Sequence, residues 1–144
     1  LGEGELRPVL EAQVKSLGLD RHVFLPGFRP DALALQKSFD VFVMSSITEG
    51  LGSAMLDAMA CRTPIVGTVA GGIPEAITHD VTGLLVKPHH PDDLAAAIIR
   101  LLRDPALRER LGTAARAHVA SAFSVDHMVE QTLAVYKRRL DSRN

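Results

Sequence analysis

The chain contains 144 residues, carries a formal net charge of −1 and is 47% hydrophobic. That length fits one globular domain with a single core and leaves no room for two full domains. Because the charge is close to zero and Lys and Arg are scattered, the sequence lacks the basic surface of a sequence-independent nucleic-acid-binding protein. We expect one domain over residues 1–144 and no nucleic-acid partner.

The composition also bears on redox setting, membranes and metals. The only cysteine, Cys61, cannot form an internal disulfide, and the sequence shows no signal-like start or apolar run of about 20 residues. These features favour a cytoplasmic location and exclude a membrane-embedded chain, although they leave peripheral membrane contact open. The six histidines show neither HExxH nor paired-cysteine spacing, so the sequence predicts no bound metal.

Helical and strand patterns alternate along the chain, which favours an α/β fold with a parallel sheet. Leu1 and Gly2 resemble the end of a strand. Four complete strands are expected at residues 22–25, 40–44, 63–67 and 83–86, and helices at residues 5–17, 31–37 and 53–61, with a further helix start at Pro74.

From Pro91 onward the pattern is helical. The first helix of this region carries one apolar stripe, formed by Leu94, Ile98, Leu101 and Leu102. Asp104 followed by Pro105 is typical of a helix start, and Ser124 is expected to cap a last helix that ends near Arg139.

Residues 48–67, TEGLGSAMLDAMACRTPIVG, contain the most informative pattern. Glu49 stands just before a predicted helix and Asp57 within it, so both acids can accept hydrogen bonds from ligand hydroxyls. Unpaired backbone N–H groups gather at such a helix start and attract anions. They belong to Gly50, Leu51, Gly52 and Ser53, and the two glycines let a ligand approach the backbone closely. This combination suits a sugar ligand that carries phosphate.

Each of these features also has a purely structural interpretation. Glu49 can simply complement the helix dipole, and Asp57 can be a solvent-facing helix residue. The glycine pairs Gly50/Gly52 and Gly71/Gly72 can merely shape turns, since the latter lacks the GxGxxG spacing of a dinucleotide site.

Taken together, six segments resemble the C-terminal, donor-binding domain of the retaining group 1 glycosyltransferases (family 4) of the GT-B fold. They are GEGELRPVLE (residues 2–11), HVFLPGF (22–28), the acid motif, GGIPEAI (71–77), GLLV (83–86) and the closing helices that end in Tyr136. The resemblance implies a Rossmann-like parallel sheet, truncated at its N-terminus, with C-terminal helices. In the related two-domain enzymes the final helix crosses back toward the N-terminal domain, so Met128, Leu133 or Val135 is expected to lack a partner here.

The resemblance also implies roles for individual residues. Glu49 is the catalytic residue that lies beside the donor sugar and orients it, and the backbone of residues 50–53 meets the sugar and diphosphate. Asp57 holds the ribose where the family has a glutamate, and the shorter side chain departs from the motif. The backbone near Pro26, Gly27 and Phe28 lies close to the base.

The function implied is transfer of a hexose from a nucleoside diphosphate sugar to an unknown acceptor, with no cofactor or metal. In this family an Arg and a Lys of an upstream strand–helix unit neutralise the diphosphate, and an N-terminal domain binds the acceptor. Since this chain starts after that unit, we expect the isolated chain to be inactive. A non-catalytic binding or assembly module and a fragment of a GT-B sugar-nucleotide epimerase remain alternatives.

The truncation leaves a gap in the expected strand order 3-2-1-4-5-6. Either the strand at residues 22–25 pairs directly with that at residues 40–44, or chains form homo-oligomers through exposed strand edges.

Overall fold

A computed structural model describes residues 4–142, which form two compact units divided between Leu35 and Gln36. Leu1 and Gly2, where the sequence predicts the end of a strand, lie outside the described residues. The expectation of one domain over residues 1–144 stays a prediction.

The first unit begins with helix α1, Arg7–Ser16. Gly18 has a φ of +66° and follows the helix in the left-handed conformation, and the Leu19 N–H donates to the Val14 carbonyl over 2.9 Å. This pattern is a Schellman motif, in which glycine serves because it has no Cβ to strain. The predicted helix end at Gly18 is therefore correct.

The predicted strand His22–Leu25 is wrong. The N–H groups of His22 and Val23 both donate to the Leu19 carbonyl over 2.9 Å, so a turn uses the donors that a strand ladder would need. Phe24 is 75% exposed, and residues 22–25 belong to no ladder among the described residues. The apolar pattern identified extended backbone, but a strand also requires a hydrogen-bonded neighbour. Direct pairing of this segment with the next strand is wrong for the same reason.

One surface ion pair follows in the first unit. The Arg29 guanidinium lies 2.6 Å from the Asp31 carboxylate, and this hydrogen bond holds the pKa of Asp31 below its usual value. A carboxyl group whose pKa is lowered in the folded state stabilises the fold at neutral pH. This stabilisation is lost as the pH falls through the folded-state pKa. Because both side chains are exposed, the contribution is small.

Three parallel strands form the sheet of the second unit, in the order β1-β2-β3. They are β1 (Phe42–Met44), β2 (Ile65–Thr68) and β3 (Leu84–Val86). The helices are α2 (Ala32–Gln36), which starts before the division, α3 (Ser53–Ala60), α4 (Ile73–Ala76), α5 (Pro91–Arg103), α6 (Pro105–Ala122) and α7 (Val125–Asp141). The predicted α/β fold with a parallel sheet is confirmed.

The core lies on both faces of β2, the central strand, whose four residues are all buried. Neighbouring side chains of a strand point to opposite faces, so Ile65 and Val66 enter separate clusters. Ile65 packs with residues of α3 and α4, and Val66 packs with residues of β3, α5 and α6. Helices therefore cover β2 on both sides.

The predicted helix starts in the C-terminal region are confirmed. Asp104 Oδ1 accepts a hydrogen bond from the Leu107 N–H over 2.9 Å, and Ser124 Oγ accepts one from the His127 N–H over 3.1 Å. Leu101 of the α5 stripe is fully buried, whereas Leu102 is 51% exposed. Leu102, four residues after Ile98, shares the stripe by helix geometry but lies at its exposed edge.

Helix α7 contains no buried residue, although it carries many apolar side chains. The exposed ones are Val125, Met128, Val129, Leu133, Val135, Tyr136 and Leu140. This agrees with the expectation that Met128, Leu133 or Val135 lacks a partner. Within residues 4–142, no helix is long and apolar enough to span a membrane.

We expect Leu133→Lys to reduce self-association of the chain without changing its urea unfolding midpoint. The leucine is 49% exposed, so removing it breaks up an apolar surface while little core packing is lost. Light scattering at increasing protein concentration measures the self-association. Leu102→Lys, at 51% exposure on α5, is the matched control; equal reductions by both variants would show that added charge, not the α7 surface, is responsible.

A second Schellman motif ends α3, with arginine in the position that favours glycine. Arg62 has a φ of +64°. Its N–H donates to Met59 and the Thr63 N–H donates to Ala58, both over 3.0 Å. A side chain with a Cβ is strained in this left-handed conformation.

Arg62→Gly should therefore raise the free energy of unfolding by about 0.5–1 kcal/mol, as relief of strain exceeds the added flexibility of the unfolded chain. Urea unfolding measures the change. Arg62→Ala removes the charge and keeps the Cβ, so it should give no comparable gain. Equal gains from glycine and alanine would contradict the strain explanation.

Candidate functional site

The loops that follow β1 and β2 share one edge of the sheet. Because the strands are parallel neighbours, their carboxyl ends lie side by side, with Met44 paired to Gly67. The first loop runs from residue 45 to the start of α3, and the second from residue 69 to the start of α4. The carboxyl edge of such a sheet is the usual place for ligands.

Gly52 directs the first loop into α3. It is the residue before the helix, with φ +68° and ψ +54°, and it is buried. A Cβ at this position would lie 3.3 Å from Met55 Cε, in addition to the strain of the left-handed conformation. The first hydrogen bond of the helix runs from the Met55 N–H to the Gly52 carbonyl over 2.8 Å, so the N–H of Ser53 precedes the helical ladder.

Glu49 lies in the first loop, partly buried, and is held through both its main chain and its side chain. Its carbonyl accepts a hydrogen bond from the Gly72 N–H over 3.0 Å, and its Oε2 accepts one from Ser46 Oγ over 3.3 Å. The first contact ties the two loops together. The second orients the carboxylate.

Gly71 and Gly72 let the second loop touch the first. A Cβ on Gly71 would overlap the carbonyl oxygen of Glu49, and a Cβ on Gly72 would overlap that of Gly50. Gly71 also has a φ of +52°. Their structural interpretation as a turn is thus incomplete, because they also hold the backbone that carries Glu49.

Asp57 lies one helical turn after Ser53, on the same side of α3. Residues four apart share a helix face, and both of these are exposed. The opposite side of α3 is buried through Met55, Ala58 and Met59. The structure thus places Glu49 and the exposed Gly50 and Leu51 just before α3, and Asp57 one turn into the helix on the face of Ser53.

Two contributors to this site were missed by sequence reasoning. Ser46 contacts the Glu49 carboxylate, and Thr68, at the end of β2, donates from its hydroxyl to the Ser46 carbonyl over 2.5 Å. A buried polar residue at the carboxyl end of a strand was the available signal, since such a hydroxyl needs a partner.

A cavity of about 220 Å³ opens at the same sheet edge. Its lining residues are Ser45, Ile47, Thr68, Lys87, His89, His90, Pro91 and Leu94, and neither Glu49 nor residues 50–53 are among them. Among residues 4–142, no three His, Cys, Asp or Glu side chains are arranged to hold a metal ion.

A family model described as "Glycosyl transferases group 1" matches residues 1–118. The chain belongs to this family. Among its relatives, an uncharacterized glycosyltransferase of Methanocaldococcus jannaschii is 38% identical over 138 residues, which are 94% of this chain and 35% of the relative. A D-inositol 3-phosphate glycosyltransferase of Jonesia denitrificans is 37% identical over 94% of this chain and 31% of its own length.

Solved structures agree with this assignment. The Anabaena protein HepE, in a complex with UDP-glucose, superimposes with a TM-score of 0.86 at 29% identity, covering 96% of this chain and 38% of that chain. The fold of this chain is thus that of GT-B glycosyltransferases. It spans about a third of the length of the curated relatives it matches.

Pro26, Gly27 and Phe28 belong to the first unit. Gly27 is buried with a φ of +73°, which explains the glycine in PGF. Phe28 is 74% exposed. The role of these residues near the base stays a prediction.

Gly72→Ala should lower the free energy of unfolding by about 1–3 kcal/mol, the usual cost of overpacking. The new methyl group would push the carbonyl of Gly50 away and break the contact between the loops. Gly50→Ala is the matched control, because a Cβ there meets nothing within 4 Å. Urea unfolding of both variants provides the comparison; similar stabilities would contradict the close backbone contact.

Proposed function

We propose that this chain is the donor-binding half of a retaining glycosyltransferase, which moves a hexose from a nucleoside diphosphate sugar to an acceptor. The observation that carries the proposal is the placement of Glu49, oriented by Ser46, beside the glycine-framed start of α3. A carboxylate that can accept hydrogen bonds from hydroxyls thus lies beside a group of N–H donors. Family membership and the UDP-glucose complex of HepE support it.

The two parts of the site suit the two parts of such a donor. The carboxylate of Glu49 accepts hydrogen bonds from sugar hydroxyls, whereas the N–H groups at the start of α3 favour the negative diphosphate. Asp57, on the same helix face as Ser53, accepts hydrogen bonds from the ribose. A ligand with sugar, diphosphate and ribose in this order matches the sequence of groups along the loop and helix.

Charge development gives the site its role in transfer. As the bond between the sugar C1 and the diphosphate oxygen breaks, the diphosphate keeps the electron pair and gains negative charge. The acceptor hydroxyl forms the new bond to C1, and its proton passes to the departing diphosphate. Preorganised N–H groups and the dipole of α3 stabilise the leaving group, and such electrostatic stabilisation is often the largest catalytic term.

The composition of the two loops predicts that this chain alone binds the donor weakly. Residues 45–57 and 68–72 contain no Lys or Arg, so only backbone dipoles oppose the charge of the diphosphate in these loops. Charge-assisted hydrogen bonds are roughly twice as strong as neutral ones. We infer that the cations that neutralise the diphosphate lie outside these two loops, and that the acceptor site belongs to another part of a longer protein.

A titration with UDP-, GDP- and ADP-glucose and with free UDP, GDP and ADP tests the proposal. We expect saturable binding of one sugar nucleotide. Glu49→Ala should weaken sugar-nucleotide binding about tenfold, the effect of a hydrogen bond to a charged group. Asp57→Ala should weaken binding of the sugar-linked and the free nucleotide alike, because it contacts the ribose. Calorimetry or NMR provides the dissociation constants.

Asp92→Ala is the matched control, since Asp92 is an acid at the start of another helix, where it lies exposed in the first turn of α5. It should leave binding unchanged. If Asp92→Ala and Glu49→Ala acted equally, a general effect of helix-end charge would replace the proposed site. Measurable sugar transfer by this chain alone would overturn the inference that the remaining catalytic groups lie elsewhere.

A further inference from the structure

Two hydroxyl groups connect the carboxylate of Glu49 to the buried end of β2. Thr68 is only 4% exposed. Its Oγ1 donates to the carbonyl of Ser46 over 2.5 Å, with the carbonyl of Met44 as a second acceptor at 3.4 Å. Ser46 Oγ then donates to Glu49 Oε2 over 3.3 Å. The direction of the carboxylate thus depends on Ser46, and the position of Ser46 depends on Thr68.

The contact from Ser46 orients Glu49 without neutralising it. None of the ion pairs found among the described residues includes Glu49. A hydroxyl donates one hydrogen bond and brings no opposite charge, so Glu49 still has acceptor sites for a ligand. Because Ser46 occupies Oε2, the other oxygen, Oε1, retains its lone pairs for a ligand hydroxyl.

We propose that Ser46 and Thr68 are positioning residues for the donor sugar. Thr68 fixes the loop to the sheet, and Ser46 holds the Glu49 carboxylate in the direction in which it meets a sugar hydroxyl. Preorganisation of this kind strengthens binding, because the ligand does not have to order the side chain. This inference rests on the proposed function and adds to it a determinant of sugar binding as distinct from nucleotide binding.

A measurement on the free chain tests the positioning itself. Three-bond NMR couplings report the rotamers of Glu49, and we expect one dominant rotamer in the parent chain. Ser46→Ala and Thr68→Val should average the rotamers, whereas Ser46→Thr and Thr68→Ser, which keep the hydroxyls, should preserve them. Ser45→Ala is the matched control, since Ser45 is the exposed neighbour of Ser46 and lines a cavity that Glu49 does not line. Averaged rotamers in the parent, or no response to Ser46→Ala, would overturn the proposal.

Binding experiments test the consequence for the sugar. Ser46→Ala should weaken binding of UDP-glucose about three- to tenfold, the effect of one hydrogen bond, and change binding of UDP less than about twofold. In a chain that already carries Glu49→Ala, Ser46→Ala should have no further effect, because Ser46 acts only through that carboxylate. If Ser46→Ala only destabilised the chain, it would weaken binding of both UDP-glucose and UDP. It would also weaken binding in the chain that carries Glu49→Ala.

The outcomes separate this inference from the proposed function. If the parent binds UDP-glucose and Glu49→Ala weakens binding while Ser46→Ala and Thr68→Val do not, only the positioning role is wrong. If the parent binds no sugar nucleotide but shows one Glu49 rotamer that Ser46→Ala averages, the contact is real and the proposed ligand is wrong. If Ser46→Ala lowered the affinities for UDP-glucose and UDP equally, a role specific to the sugar would likewise be rejected.

Discussion

The backbone contact between residues 49–50 and 71–72 is the constraint on which the rest of the site depends. The Gly72 N–H donates to the Glu49 carbonyl, and a Cβ on Gly71 or Gly72 would overlap the first loop. The contact places two loop backbones closer together than side chains would permit. It fixes where Glu49 leaves the main chain, and so where its carboxylate can reach.

Much of the second unit could be predicted because its signals are local. An apolar run gave β1, a capping aspartate followed by proline marked the start of α6, and a serine marked the start of α7. Glu49 and Asp57 were found as candidates because a glycine-rich helix start between two acids is itself a local pattern. Such features depend on neighbours in sequence, which the sequence shows directly.

The errors and omissions share the opposite property. His22–Leu25 has a strand-like composition, yet a ladder needs a partner from elsewhere, and a turn at Leu19 uses its first donors. Ser46 and Thr68 are 22 positions apart, and their contact exists only because β1 and β2 are neighbours. Contacts between distant positions follow from the completed fold, so a single sequence does not reveal them.

The structural alternative for Glu49, a complement to the helix dipole, explains its position but not its contacts. A residue that serves only the dipole needs nothing more than a location near the first turn, because that interaction falls off within a turn and tolerates many rotamers. Glu49 is instead fixed at its carbonyl by Gly72 and at its carboxylate by Ser46. Holding the residue at its main chain and at its carboxylate limits its side-chain freedom. This restriction adds little to a general electrostatic effect. It is useful where the direction of one oxygen decides which ligand hydroxyl is met, and this favours recognition over helix stabilisation.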